Sequence, residues 1–132
     1  MDPEASGPAA AATGLGREFA EALAAKDFGR IAGLLDPEID FGGLTPRRTW
    51  EANSATQAID EILTTWLDES DHVDELVSVE TGTFADRSTL SYALRGHNED
   101  GPFTFEQRAY FTEHDGRIDW MRVLCSGFRP LD

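Results

Sequence analysis

The feature that most constrains this chain is a change of hydrophobic period at residues 68–71. Before it, apolar residues recur at helical spacing; after it, they alternate with polar ones to the end of the sequence. Over 14–26, Leu15, Phe19, Ala22 and Leu23 fall at i, i+4, i+7 and i+8 while Glu18, Glu21 and Lys26 take other faces, which predicts an amphipathic helix. Asp27 is placed to cap a second, short helix whose Phe28, Ile31, Leu34 and Leu35 share a stripe. Asp36-Pro37 stops it, because proline disfavours the helical conformation of the residue before it. Residues 38–44 alternate as a strand that Gly42-Gly43 ends or bulges, and 45–53 reads as an ordered connection carrying Arg47, Arg48 and Trp50. Ser54 and Gln57 form a capping box ahead of Ala55, Ile59, Ile62, Leu63 and Trp66, a third helix ending near Leu67. Strands then follow over 73–84, 88–97, 103–112 and 117–126. Asp100-Gly101 and Asp115-Gly116 stand between the last three, where hairpin turns need residues tolerant of positive φ. The order helix, helix, strand, helix, four strands is α+β. A strongly curved antiparallel sheet with three helices on its concave face buries both patterns.

At 132 residues one core buries roughly two-thirds of the unfolded chain's surface, so a single domain over 13–132 is expected to fold without staples. Residues 1–12, with Asp2, Glu4, two prolines and an alanine run, lack a basic start and a long apolar stretch. They read as a disordered tail rather than a signal peptide. The 25 acidic against 11 basic side chains leave a formal charge of −14, which repels phosphate backbones and anionic leaflets. Nucleic acid and membrane are therefore excluded as expected partners, and no apolar stretch approaches the roughly 20 residues of a span. One cysteine, Cys125, and histidines at 72, 97 and 114 make neither a disulfide framework nor a zinc site. No metal or cofactor is expected, and the setting is read as cytoplasmic.

The order of elements, the run 19–27 leading through a short helix into 35–41, and the ending Glu106 to Ile118 resemble the nuclear transport factor 2-like superfamily, which includes SnoaL-like polyketide cyclases and ketosteroid isomerases. The likeness spans nearly the whole chain after the tail. It implies a cone-shaped sheet whose concave face and helices enclose a pocket. It also implies dimers formed sheet to sheet. For an isomerase it implies a carboxylate base near Gly42 or Gly43, a tyrosine at Phe19 and an aspartic acid at Gln107, and all three are missing here. For a SnoaL-like cyclase, Gly96-His97 fits a turn motif loosely, but Gln107 again replaces the acid, and an amide does not shuttle protons at neutral pH.

Strand parity places the candidates. Phe103, Phe105, Gln107, Ala109 and Phe111 share the more apolar face of their strand and are assigned inward. On the last strand the resemblance puts Met121, Val123 and Cys125 inward. On the strand 88–97, either Leu90, Tyr92 and Leu94 or Ser91, Ala93, Arg95 and His97 point in. The candidate lining is Phe19, Trp50, Trp66, Phe105, Met121, Val123 and Cys125, with Gln107 as either a ligand-binding amide or a buried polar group satisfied by its neighbours. Asp40 and His97 are the candidates for acid or base chemistry. Against these stand plainer readings: His72, His97 and His114 as solvated residues, Cys125 as a small buried hydrophobe, the tryptophans as core aromatics, and the acidic run 68–75 as a solvated connection. Two functions remain. One is a domain whose apolar pocket binds a small hydrophobic molecule, with or without acid/base catalysis. The other is a non-catalytic dimeric scaffold or interaction domain with a filled core. In either, Tyr110, Trp120, Arg122 and Leu124 have no inward place, and burying them against a second copy is expected.

Overall fold

Helical spacing over the first turns folds as expected in the structure, a computed structural model that describes residues 14–131. The expected tail at 1–12 lies outside the described residues. Helix α1 is Leu15–Ala24, buried along Leu15, Phe19, Ala22 and Leu23. Helix α2 is Phe28–Leu34, capped by Asp27, whose side chain accepts the Arg30 amide at 3.0 Å. Strand β1, Leu35–Thr45, runs straight through Gly42-Gly43 instead of ending there; its irregularity falls earlier, between Leu35 and Asp40.

The stretch expected to be a connection holds a strand, β2, Arg48–Ala52, paired antiparallel with β1. Trp50 and Ala52 pair with inward Gly43 and Phe41, while Thr49 and Glu51 alternate outward. The third helix, α3, runs from Ala55 to Trp66, with its middle, Ala58–Leu63, wound as a π-helix. Its start is the expected box: Ser54 Oγ accepts the Gln57 amide at 3.1 Å, and Gln57 Oε1 accepts the Asn53 amide at 3.1 Å.

The four later strands are β3 (His72–Phe84), β4 (Arg87–Asn98), β5 (Gly101–His114) and β6 (Arg117–Cys125), an antiparallel meander. Asp115 and Gly116 turn β5 into β6 with φ of 53° and 78°, the left-handed pair such a hairpin demands. A two-residue strand β7, Arg129–Pro130, returns beside β5. The order across the sheet is β2-β1-β6-β5-β4-β3. The sheet is mixed rather than purely antiparallel, because β1 joins β6 in parallel register, Phe41 opposite Met121 and Gly43 opposite Val123. The core lies between its inner face and α1, α2 and α3.

Candidate functional site

The inner face of the sheet carries a short polar row. Tyr92 on β4 is the cross-strand partner of Gln107 on β5, which in turn partners Cys125 on β6. Leu90, Tyr92 and Leu94 point inward, which settles the open parity of β4. The Tyr92 hydroxyl donates to Gln107 Oε1, and the two residues are only 2% and 3% exposed. The Gln107 carboxamide oxygen is thus satisfied by its strand neighbour, while its amide nitrogen has no partner among the described residues. Phe19 from α1 sets its ring edge against Tyr92 at 6.5 Å. Burial, with a smaller contribution from Cys125, raises the Tyr92 hydroxyl well above its ordinary pKa, so the phenol stays protonated.

Beyond this row the chain folds over its own inner face. Cys125 is half-buried and its Sγ accepts the Gly127 amide at 3.4 Å. Gly127, at φ 78°, turns the chain so that Phe128 stacks on Phe103 at 4.2 Å and lies tilted against Phe105 at 5.1 Å. On the other side, Trp66 packs edge to face on Trp50 at 6.1 Å, and Trp50 donates its indole N–H to Thr45 Oγ1 at 3.0 Å. Gly43 is required there: a Cβ would lie 2.7 Å from the Trp66 ring. The Trp66 indole nitrogen is itself buried without a partner among the described residues.

Phe19, Phe105, Met121 and Val123 are all essentially sealed from solvent. These side chains, expected to line an open cone, instead fill the space between sheet and helices. The two acid/base candidates are not among them. Asp40 lies on the outer face, where its carboxylate pairs with Arg122 at 3.0 Å. His97 also points outward, with Nδ1 2.9 Å from Asp74 and its ring stacked on His72 at 5.0 Å. The reason is parity: β4 cannot turn Tyr92 and Leu94 inward and bring His97 in as well. Similarly, inward Phe41 sends Asp40 out.

No family model and no curated protein matches this sequence. Solved structures do. The chain is similar to an NTF2-like protein of unknown function from Mesorhizobium loti at 18% identity over 96% of this chain and 98% of that one, TM-score 0.64. It is similar to an NTF2-like protein from Burkholderia thailandensis at 12% identity over 86% and 89%, TM-score 0.62. It is also similar to an LEH-like epoxide hydrolase of M. tuberculosis at 14% identity over 87% and 82%, TM-score 0.62. The chain has the NTF2-like fold. On that fold, the inward one of the two glycines expected at the position of a base is Gly43, and the Trp66 ring occupies the space a carboxylate there would need. Around the Tyr92–Gln107 pair, the inward side chains of β4 from Leu90 to Gly96, of β5 from Phe103 to Phe111 and of β6 from Met121 to Cys125 include no carboxylate and no imidazole. Tyr92 is the residue that sequence reasoning missed. Its signal was the Leu90-Tyr92-Leu94 alternation, which is as apolar as the facing set is polar.

Proposed function

We propose that this NTF2-like domain is a non-catalytic association module that pairs with a second copy through its outer sheet face. The observation that carries the reading is the division of side chains between the two faces. The inner face is filled around the neutral Tyr92–Gln107 pair, and among the described residues the inward side chains of β4, β5 and β6 near that pair include no carboxylate and no imidazole. The outer face holds open grooves of about 720 and 550 Å³, the larger floored by Leu44 and Leu124, which are cross-strand partners and 47% and 45% exposed. Trp120 lies there between the guanidinium groups of Arg87 at 4.4 Å and Arg122 at 4.7 Å. Charge supports self-association on this face and opposes it elsewhere. Arg122 answers Asp40, Arg95 answers Glu75 at 3.7 Å and Arg129 answers Glu106, so the outer strands are close to balanced although the chain carries −14.

Light scattering across micromolar concentrations tests this. A particle of twice the 14.5 kDa chain mass is expected, and Leu124→Glu, at an exposed position that no monomer needs for folding, should return it to the single-chain mass. A monomeric parent, or an L124E variant of unchanged mass, refutes the reading.

A second reading, binding of a small hydrophobic molecule at the inner face, is favoured by one observation: the spare amide nitrogen of Gln107 beside half-buried Cys125. It requires Phe128 to leave Phe103 and Phe105. Protection of Cys125 from alkylation by an added apolar ketone would support it, and unchanged alkylation would remove it.

A further inference from the structure

Two charged side chains on the outer face stand outside the balance around them. Arg87, Arg95, Arg122 and Arg129 each have a carboxylate partner, whereas Arg108 on β5 has none among the described residues. Glu51 on β2 is exposed and likewise has no ion-pair partner among the described residues. Given pairing of two copies through the outer face, on which this inference rests, we propose that the two-fold axis runs along the strands between β1 and β6, and that Arg108 of each copy meets Glu51 of the other. That contact selects the arrangement of the two sheets and makes a copy of this chain the fitting partner.

Arg108 is held ready for a carboxylate. Its Nε donates to the Tyr110 hydroxyl at 3.0 Å and its Nη1 to Ser91 Oγ at 3.2 Å, with the guanidinium 5.5 Å from the Tyr110 ring. A guanidinium carries five N–H donors, so Nη2 and the second hydrogen of Nη1 stay free as a fork. Cross-strand register shows where the carboxylate comes from. One row across β5, β6, β1 and β2 reads Arg108, Leu124, Leu44, Thr49, and the next reads Tyr110, Arg122, Gly42, Glu51. By leaning toward Tyr110, the guanidinium enters the row that ends in Glu51. Within one chain the two stand three strands apart, about 14 Å, which is beyond their reach. Facing sheets keep their strands within about 30° of each other, so the two-fold axis between them lies near the strand direction. Such an axis preserves position along the strands and reverses position across them. Placed between β1 and β6, it lays Leu44 on the second copy's Leu124, the flat Arg122 on Gly42, which has no side chain, and β5 on β2, with the Arg108 guanidinium over Glu51. Each contact is made twice. An axis along β5 would instead lay the two Arg108 side chains on each other, and one between β5 and β6 would lay each Arg108 on Leu124.

Arg108→Glu and Glu51→Arg, each alone and then mixed, test the contact by sedimentation and native mass spectrometry of the full chain at fixed ionic strength. Either variant alone brings like charges together at both symmetric contacts, and a rise of about a hundredfold or more in the dissociation constant is expected. Mixing the two rebuilds both contacts, one reversed and one native, so a heterodimer should form with an affinity near the parent's. Net charge cannot drive that rescue, because both chains stay strongly acidic. The R108E/E51R double variant should likewise pair with itself, a result that only folded chains can give. A monomeric parent refutes outer-face pairing and this contact with it. A paired parent whose single variants pair equally well, or fail to recover on mixing, leaves outer-face pairing standing and overturns the Arg108–Glu51 contact.

Discussion

The Tyr92–Gln107 pair can be weighed by a double-mutant cycle. Gln107→Leu removes the acceptor from a hydroxyl that is 2% exposed and has no water to turn to. A buried hydroxyl left without a partner costs about 1–3 kcal/mol, and Leu is near enough to Gln in volume that packing adds little. Tyr92→Phe removes the donor, keeps the ring that Phe19 packs against, and strands the carboxamide oxygen, which costs about 1–2 kcal/mol. The double variant strands neither group. Its cost should therefore fall short of the sum of the single costs by about 1–2 kcal/mol. Urea unfolding followed by tryptophan fluorescence, with Trp50, Trp66 and Trp120 as reporters, yields all three free energies. Strict additivity would show that the hydroxyl and the carboxamide do not depend on each other. The pair would then not be the polar anchor of the inner face.

Three further outcomes follow from the same geometry. Gly43→Ala should destabilise by about 1–3 kcal/mol in urea unfolding, because its methyl group would sit 2.7 Å from the Trp66 ring. Stability should also fall as pH rises past 10.0. The native state keeps the Tyr92 proton after the unfolded chain has lost its own, so the contribution is complete below that value and is lost as pH climbs toward the raised native one. The slope is about 1.4 kcal/mol per pH unit, and urea midpoints on either side of 10 should show it in the parent but not in Tyr92→Phe. Finally, Asp40→Asn and His97→Ala should each change stability by no more than about 0.5–1 kcal/mol, since both side chains are half-exposed on the outer face; a larger loss by urea unfolding would place either one in the interior.

Much of the fold could be read from the residues because its signals are local. The caps at Asp27 and Ser54, the Asp115-Gly116 turn and the inward set Phe103 to Phe111 are each decided within a few positions. Where the reading departed from the structure, the deciding partner was distant in sequence. Gly42-Gly43 looked like a strand end, but Arg122 and Trp66 lie over those glycines and hold the strand open for them. Residues 48–52 looked like a connection because Arg48, Thr49 and Glu51 are polar, as befits an edge strand with one solvated face. The parallel pairing of β1 with β6 joins segments about eighty residues apart, and no local period announces it. The site suffered most. Its polar anchor depends on the cross-strand register of Tyr92 and Gln107, and its expected openness depends on how far Trp66 and Phe128 reach.

The same distant contacts shape the outer face, on which association of two copies is proposed. Arg122 lies flat across Gly42: a Cβ there would meet its Cδ at 2.9 Å, so only glycine lets the guanidinium reach both the Asp40 carbonyl and its carboxylate, each at 3.0 Å. Held down in this way, Arg122 places its guanidinium over the Trp120 ring, as Arg87 does. The ion pair is too exposed to contribute much to folding. What it achieves is geometric: a level, charge-balanced surface beside Leu44 and Leu124. Gly42→Ala should therefore lift Arg122 from the sheet and weaken pairing of copies more than it weakens the fold. Dimer dissociation by sedimentation, compared with urea unfolding of the same variant, separates the two. Loss of folding stability with dimer affinity unchanged would show that the level outer face has no part in association.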